Sequence, residues 1–74
     1  MRRSENIVAC AVPPFWVPRY TIWQWVSARC RMAYSTFAKA MMRLVRLGWI
    51  ERQRRSYSEY RWNQQRERDM AHGT

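Results

Sequence analysis

The stretch MAYSTFAKAMMRLVRLGWIERQRRSYSEYRW, residues 32–62, decides the fold of this chain. In its first half, apolar residues recur at the spacing of an amphipathic helix. In its second half, apolar and polar residues alternate as they do in a β-strand. Gly48 lies where the period changes. The stretch therefore predicts one helix, a glycine stop and a short β-hairpin.

The predicted helix covers residues 35–47 and begins at Tyr34 or Ser35. Gly48 follows its last apolar residue, where a left-handed C-cap is expected. One face of the helix is apolar and is expected to point into the core. That face contains Phe37, Ala40, Met41, Leu44 and Leu47. The opposite, mostly basic face contains Ser35, Lys39, Met42, Arg43 and Arg46.

Two runs with a period of two follow the glycine, at residues 49–54 and 59–63. The tip between them, residues 55–58, has neither glycine nor proline, which excludes the tightest two-residue turns and favours a loop of four residues or more. Charged hairpin side chains also discourage strand-to-strand aggregation, so arginines here do not by themselves indicate a binding site. The side chains expected to face the core are Ile50, Tyr60 and Trp62.

The chain before residue 31 has weaker patterns. Residues 1–5 are expected to fray, and residues 6–12 fit either two turns of helix or one strand, between which periodicity does not decide. The connector at 15–20 is expected to be extended. Any strand at Pro18 is confined to a sheet edge, because proline has no backbone donor. Thr21 then predicts the N-cap of a helix that runs to about residue 30.

Aromatic residues are unusually frequent, with five tryptophans in the chain. A small domain gains buried area fastest by burying large rings. On this ground Trp25, Trp49 and Trp62 are expected in the core. Aromatic residues are also enriched in the centres of protein interfaces. The candidates for such an interface are Phe15, Trp16 and Trp23.

Length and charge limit what the chain can be. Its 74 residues allow one domain, expected over residues 1–63, with residues 64–74 as a flexible polar tail. A formal net charge of +9 favours a polyanionic partner, most often nucleic acid, over a merely soluble basic protein. No run of 18 apolar residues is present, so no membrane partner is expected. Two cysteines are too few for a disulfide framework and favour a reduced, cytoplasmic location.

Catalytic and metal chemistry have little support in the sequence. His72 is the single histidine and lies in the predicted tail. Cys10 and Cys30 have no neighbouring base, and together with His72 they lack the CxxC or HxxxH spacing of a zinc site. Two glycines cannot form a glycine-rich phosphate loop. The sequence therefore predicts no enzyme, no metal and no cofactor.

Residues 32–52, MAYSTFAKAMMRLVRLGWIER, contain an apolar turn residue, a Ser-Thr pair, a leucine-rich stripe, a glycine and a large apolar pair. This order resembles the recognition helix and first wing strand of bacterial and phage winged helix-turn-helix transcriptional regulators. The fold it implies is α+β, mainly α with a small β-hairpin, with motif helices over about 21–30 and 35–47 and a wing over about 49–63. Arg31 stands where such motifs usually have glycine. The matching residues are Met32, Ser35, Thr36, Phe37, Met41, Leu44, Gly48, Trp49 and Ile50.

The resemblance implies that the helix over 35–47 reads the major groove of double-stranded DNA, while the wing contacts the backbone or the minor groove. Lys39 and Arg43 lie one turn apart, and either can donate to guanine. An ordinary solvated face is the alternative interpretation of these cations. The candidate DNA-binding residues are Tyr34, Ser35, Thr36, Lys39, Arg43, Arg46, Arg52, Arg54, Arg55 and Tyr57.

The implied function is a sequence-specific transcriptional regulator that gains affinity by dimerising on a repeated half-site. One alternative is a winged-helix protein-interaction module, such as a phage-encoded inhibitor of a host complex. Another is sequence-independent RNA binding, with bases stacked on Tyr57 and Tyr60.

Overall fold

The computed structural model describes residues 2–72, with side chains from residue 2 to residue 68. Over this range the chain is a mixed α+β fold with four helices and one three-stranded antiparallel sheet. None of these helices is long and apolar enough to cross a membrane. In chain order the elements are α1 (Arg3–Ala11), β1 (Val17–Pro18), α2 (Arg19–Arg29), α3 (Tyr34–Arg46), β2 (Ile50–Arg54), β3 (Ser58–Trp62) and α4 (Gln64–His72).

The core lies where α1, α2 and α3 meet one another and one face of the sheet. The predicted apolar stripe of α3 supplies its centre, since Phe37, Ala40, Met41 and Leu44 are all buried. Leu47 was expected in the same stripe but is 42% exposed. The helix ends at Arg46, so Leu47 is its C-cap and lies beyond the last turn that packs on the core. The largest fully buried side chains are Tyr60, Phe37, Ile22, Met41, Leu44, Ile50, Val8 and Val26.

The end of α3 confirms the predicted glycine stop. Gly48 has a φ of 86°, the left-handed conformation that favours glycine. The amide of Trp49 donates to the carbonyl of Leu44 at 3.0 Å, and the amide of Gly48 donates to that of Val45 at 3.1 Å. This paired arrangement is a Schellman motif, which satisfies the last carbonyls of the helix and turns the chain into β2.

Residues 3–5, which were predicted to fray, are helical, and residue 1 lies outside the described range. Helix α1 begins at Arg3, and Glu5 in its first turn is only 2% exposed. The Glu5 carboxylate accepts a hydrogen bond from the amide of Arg2 at 2.8 Å and forms an ion pair with Arg43 of α3 at 2.6 Å. These two partners hold the start of α1 in place. For residues 6–12 the sequence fits either a helix or a strand, and in the structure residues 6–11 are part of helix α1. This helix ends at Ala11, two residues before Pro13.

Helix α2 begins earlier than predicted, with its N-cap three residues before Thr21. Its N-cap is Pro18, and Thr21 lies inside its first turn. The buried side chains of α2 are Ile22 and Val26, which are one turn apart. Trp25 was expected beside them but is 39% exposed, because a step of 100° from Val26 puts it on the flank of the helix. The other two tryptophans predicted for the core, Trp49 and Trp62, are half-buried, packed against it and stacked on each other at 5.7 Å.

The sheet has the strand order β1-β3-β2, and both strand pairs are antiparallel. Pro18 lies in edge strand β1, as predicted. In the hairpin Ile50 pairs with Trp62 and Arg54 pairs with Ser58. The tip is therefore the three residues 55–57, one fewer than expected, and the amide of Arg55 donates to the carbonyl of Tyr57 at 3.3 Å.

Residues 64–72 were predicted to be part of a flexible polar tail, and the structure corrects this to helix α4. The side chain of Asn63 accepts a hydrogen bond from the amide of Arg66 at 3.2 Å, as an N-cap residue does. Two contacts then dock the helix on the sheet tryptophans. The Trp62 indole donates to Glu67 at 2.9 Å, and the Arg66 guanidinium lies 4.6 Å from the Trp49 ring centroid. The folded unit therefore extends beyond residue 63; residues 73 and 74 lie outside the described range.

Candidate nucleic-acid interface

The outward side of α3 is exposed along its whole length. We call this surface the helix face; it contains Ser35, Thr36, Lys39, Met42, Arg43 and Arg46, all of them exposed. Arg2 reaches it from the start of α1 and lines the same shallow cleft of about 400 Å³ as Lys39, Met42, Arg43 and Arg46. The structure thus adds Arg2 to the predicted cations, because α1 packs beside α3.

Arg43 differs from the other cations of the helix face. Its guanidinium is paired with Glu5, whose side chain is almost completely buried, while the Arg43 side chain is 59% exposed. The pair leaves part of the guanidinium accessible but offsets its charge. Among the described side chains, the positive charge of the helix face that no acid offsets therefore comes from Lys39, Arg46 and Arg2.

The hairpin has two chemically different faces, which the strand register defines. The inner face, on the side of the core, contains Arg52, Arg54, Ser58 and Tyr60. The outer face contains Glu51, Gln53, Glu59 and Arg61. On the outer face the Arg61 and Glu51 side chains pair at 3.3 Å, and the Gln53 amide donates to Glu59 at 3.0 Å. Positive charge is thus balanced on the outer face and unbalanced on the inner face.

None of the described acidic side chains pairs with an arginine of the inner face. Four of the chain's acids have described side chains, and each has a partner elsewhere: Glu5 with Arg43, Glu51 with Arg61, Glu59 with Gln53, and Glu67 with the Trp62 indole. Arg52 and Arg54 stay exposed and have none of these acids as a partner. Within the described part of the chain, no acidic side chain therefore offsets the positive charge of Arg52 and Arg54.

Arg19 connects the inner face of the hairpin to α2, and it was not among the predicted site residues. Its guanidinium donates to the Tyr60 hydroxyl at 2.6 Å. Burial lowers the pKa of Arg19, but the hydroxyl groups of Tyr60 and Tyr34 raise it more, so the pKa lies above its ordinary value. Because Arg19 is the first residue of α2, its hydrogen bond to Tyr60 ties the start of that helix to strand β3.

The signal that could have found Arg19 is its position after Pro18. A proline that caps a helix fixes the direction in which the next side chains leave the chain. Arg19 was predicted to lie in an extended connector, and no contact of its side chain was predicted. Only the fold brings together Arg19 and Tyr60, which are 41 positions apart.

The remaining predicted DNA-binding residues are accessible. Arg55 and Tyr57 lie exposed at the hairpin tip. Tyr34 is about half exposed, and its ring packs edge-on against Trp23 at 5.2 Å. Tyr60, one of the two rings considered for stacking on RNA bases, is 1% exposed and cannot stack on a base.

The three residues proposed for a protein interface lie in different environments. Phe15 is 59% exposed. Trp16 is half-buried under the guanidinium of Arg61, which lies 4.4 Å from its ring centroid. Trp23 is half-buried and packs against Phe37 at 5.1 Å. Of the three, Phe15 is therefore the most available to a partner.

Within the described side chains, no group of three or more His, Cys, Asp and Glu residues is placed to hold a metal ion. Cys10 and Cys30 are free thiols. The side chain of His72 lies outside the described part of the chain.

Comparisons with known proteins return nothing: no family model, no curated protein and no solved structure matches the chain.

Proposed function

We propose that this chain is a small sequence-specific double-stranded DNA-binding protein with a winged helix-turn-helix fold. Helix α3 reads the major groove, and the hairpin contacts the backbone or the minor groove as the wing. The biological role is transcriptional regulation in the cytoplasm of a bacterium, or of a phage-infected host. A protein this small gains affinity by dimerising on a repeated half-site.

The order of the elements supports the fold assignment. Two helices, α2 and α3, are joined by only four residues, and a hairpin follows α3 directly. This is the arrangement that the resemblance implies, with the helices over 19–29 and 34–46 and the wing over 50–62. A short connection between two helices, followed by an exposed basic helix, suits insertion of the second helix into a groove.

One observation carries the DNA assignment: Arg19 of the first motif helix donates to Tyr60 of the hairpin and lines one cleft with Arg52 and Arg54. Basic side chains of a motif helix and of the wing therefore lie around one cleft. A solvated face needs no such continuation onto a neighbouring element. A DNA duplex does require basic residues on both elements, because it contacts the helix and the wing together.

Salt dependence of DNA binding tests the proposal. If the cations of α3 and the hairpin neutralise about four to six phosphates per protomer, log K against log salt should fall with a slope of about −4 to −5 on duplex DNA. Fluorescence anisotropy with random duplex and with the gene's own upstream region measures this slope and any sequence preference. A slope near −1 contradicts DNA binding, and equal affinity for both duplexes contradicts sequence specificity.

A protein-interaction module is the second candidate, and the exposed apolar side chains favour it. Phe15, Met42 and Leu47 are each more than two-fifths exposed. Exposed apolar side chains are frequent at protein interfaces. Under this alternative, Phe15→Ala weakens partner binding more than Lys39→Ala does. Under the DNA proposal the order is reversed.

A further inference from the structure

The start of α2 and the inner face of the hairpin enclose a shallow cleft of about 640 Å³. Its walls come from β1, α2, β2, the hairpin tip and β3, so it depends on the fold rather than on one element. Its lining residues are Pro18, Arg19, Tyr20, Arg52, Arg54, Tyr57 and Ser58. Three of these seven are arginines, and none is acidic.

Arg19 forms the partly buried end of this cleft. Its Nε atom is buried and has no hydrogen-bond partner, although its terminal nitrogen is held by the Tyr60 hydroxyl at 2.6 Å. The hydrogen bond to Tyr60 restrains the guanidinium of Arg19, so its N–H donors are already oriented in the absence of a ligand.

Arg52 and Arg54 complete the charge. They are two residues apart on β2, so both side chains project from the inner face of the hairpin. On that face Arg52 is paired with Tyr60 of β3, and Arg54 with Ser58. Three guanidinium groups around one cleft repel one another unless an anion is bound between them. A tetrahedral oxyanion matches them best, because guanidinium donors fit phosphate oxygens in pairs.

We propose that this cleft is a phosphate site, in which Arg19, Arg52 and Arg54 together hold one phosphate group. In the DNA complex that group is a backbone phosphodiester, and this identification rests on the proposed function. The exposed rings of Tyr20 and Tyr57 border the site and pack on the adjoining sugar. The same chemistry accepts a free phosphate or a nucleotide phosphate.

The test uses the full chain and the double variant Arg52→Gln/Arg54→Gln. Both side chains are exposed, so their loss does not threaten folding. DNA affinity should fall by about tenfold or more, as expected for loss of hydrogen bonds to a charged group. The salt slope should become shallower by about 0.9, the value for one phosphate. Arg29→Gln, an exposed arginine of α2 outside this cleft, is the control and should leave the slope within about 0.3 of the wild type.

A second measurement separates the sources of the phosphate. In a proton–nitrogen NMR spectrum the Arg19 Nε–H should shift on addition of duplex DNA. Inorganic phosphate and a nucleoside monophosphate are added alone in parallel samples. A shift with DNA only supports the backbone as the source, and a shift with inorganic phosphate as well supports a general phosphate site.

Three results overturn the inference. The first is an unmoved Arg19 Nε–H with every phosphate source. The second is a slope change near 1.8, which means two separate phosphates. The third is a double variant that binds DNA as tightly as Arg29→Gln does, while Lys39→Ala binds DNA more weakly than the wild type. In that case the DNA-binding proposal stands and the phosphate site fails. Conversely, no duplex binding by the wild type, with a clear shift on inorganic phosphate, leaves the site standing and removes the DNA-binding proposal.

Discussion

The helix face and the inner face of the hairpin are both basic, yet they differ in how their charge is balanced. On the helix face, Arg43 is paired with buried Glu5 of α1. On the inner face, Arg52 and Arg54 have none of the described acids as a partner, and Arg19, which lines the same cleft, donates to the Tyr60 hydroxyl. The difference indicates that part of the helix cations stabilise the fold, whereas the hairpin arginines remain available for an outside anion.

Loss of the two unpaired helix cations should have the largest effect on binding. Lys39→Ala/Arg46→Ala removes positive charge that no described acid offsets, and duplex DNA affinity should fall by about 3 kcal/mol, since each base or phosphate contact contributes about 1–3 kcal/mol. Arg29→Ala/Arg68→Ala removes the same charge from exposed positions outside the helix face and the inner face. Equal losses in the two double variants, measured by anisotropy, would mean that only net charge matters.

Removal of Glu5 should move stability and binding in opposite directions. Glu5→Gln abolishes the ion pair with Arg43 and weakens the hydrogen bond from the Arg2 amide. The free energy of unfolding in urea should fall by about 2 kcal/mol, the scale of lost hydrogen bonds to a charged group. DNA affinity should rise a few-fold because Arg43 is released. Glu59→Gln adds the same charge on the outer face, and an equal rise in its affinity would contradict a special role for Arg43.

Gly48 fixes the turn between the two regions, so its substitution should cost stability through the backbone. An alanine Cβ there would meet only the Arg66 side chain, at an ordinary 3.6 Å, so no steric clash is involved. The φ of 86° should still cost Gly48→Ala about 1–2 kcal/mol in urea unfolding. Asparagine tolerates this conformation better, and Gly48→Asn should lose less. Equal losses for the two variants would argue against backbone strain.

The outer face should be the least sensitive. The Arg61 and Glu51 side chains are 38% and 40% exposed, so water screens their pair. Arg61→Gln should therefore cost only about 0.5 kcal/mol of stability. Its DNA affinity should change less than twofold, against about tenfold for Arg54→Gln on the inner face. Similar losses of affinity in the two variants would remove the distinction between the hairpin faces.

Local patterns predicted the parts of the fold that depend on neighbours in sequence. The buried stripe of α3, the left-handed Gly48, the hairpin and the edge position of Pro18 follow from periodicity and from the backbone chemistry of glycine and proline. The predicted burial of Leu47 and Trp25 was wrong. At these positions a small change in where the helix ends, or in how it is rotated, decides whether the side chain is buried. Helix α4 was missed because its polar sequence has no apolar stripe; its support comes from contacts with Trp49 and Trp62.

The electrostatic features of the candidate site required the fold. The Glu5–Arg43 pair spans 38 positions of the chain and the Arg19–Tyr60 hydrogen bond spans 41. No local spacing rule connects such residues. The sequence identified Lys39, Arg46, Arg52 and Arg54 by charge, but it could not distinguish them from Arg43, whose charge the protein offsets itself.

We propose that the helix face and the inner face of the hairpin contact one DNA duplex together. Amide chemical-shift mapping by NMR, with a duplex titrated into the full chain, tests it most directly. The largest shifts should occur both at 34–39 and at 52–57, with the same midpoint of titration. Shifts confined to one of these segments, or centred on Phe15, Trp16 and Arg61, would contradict it.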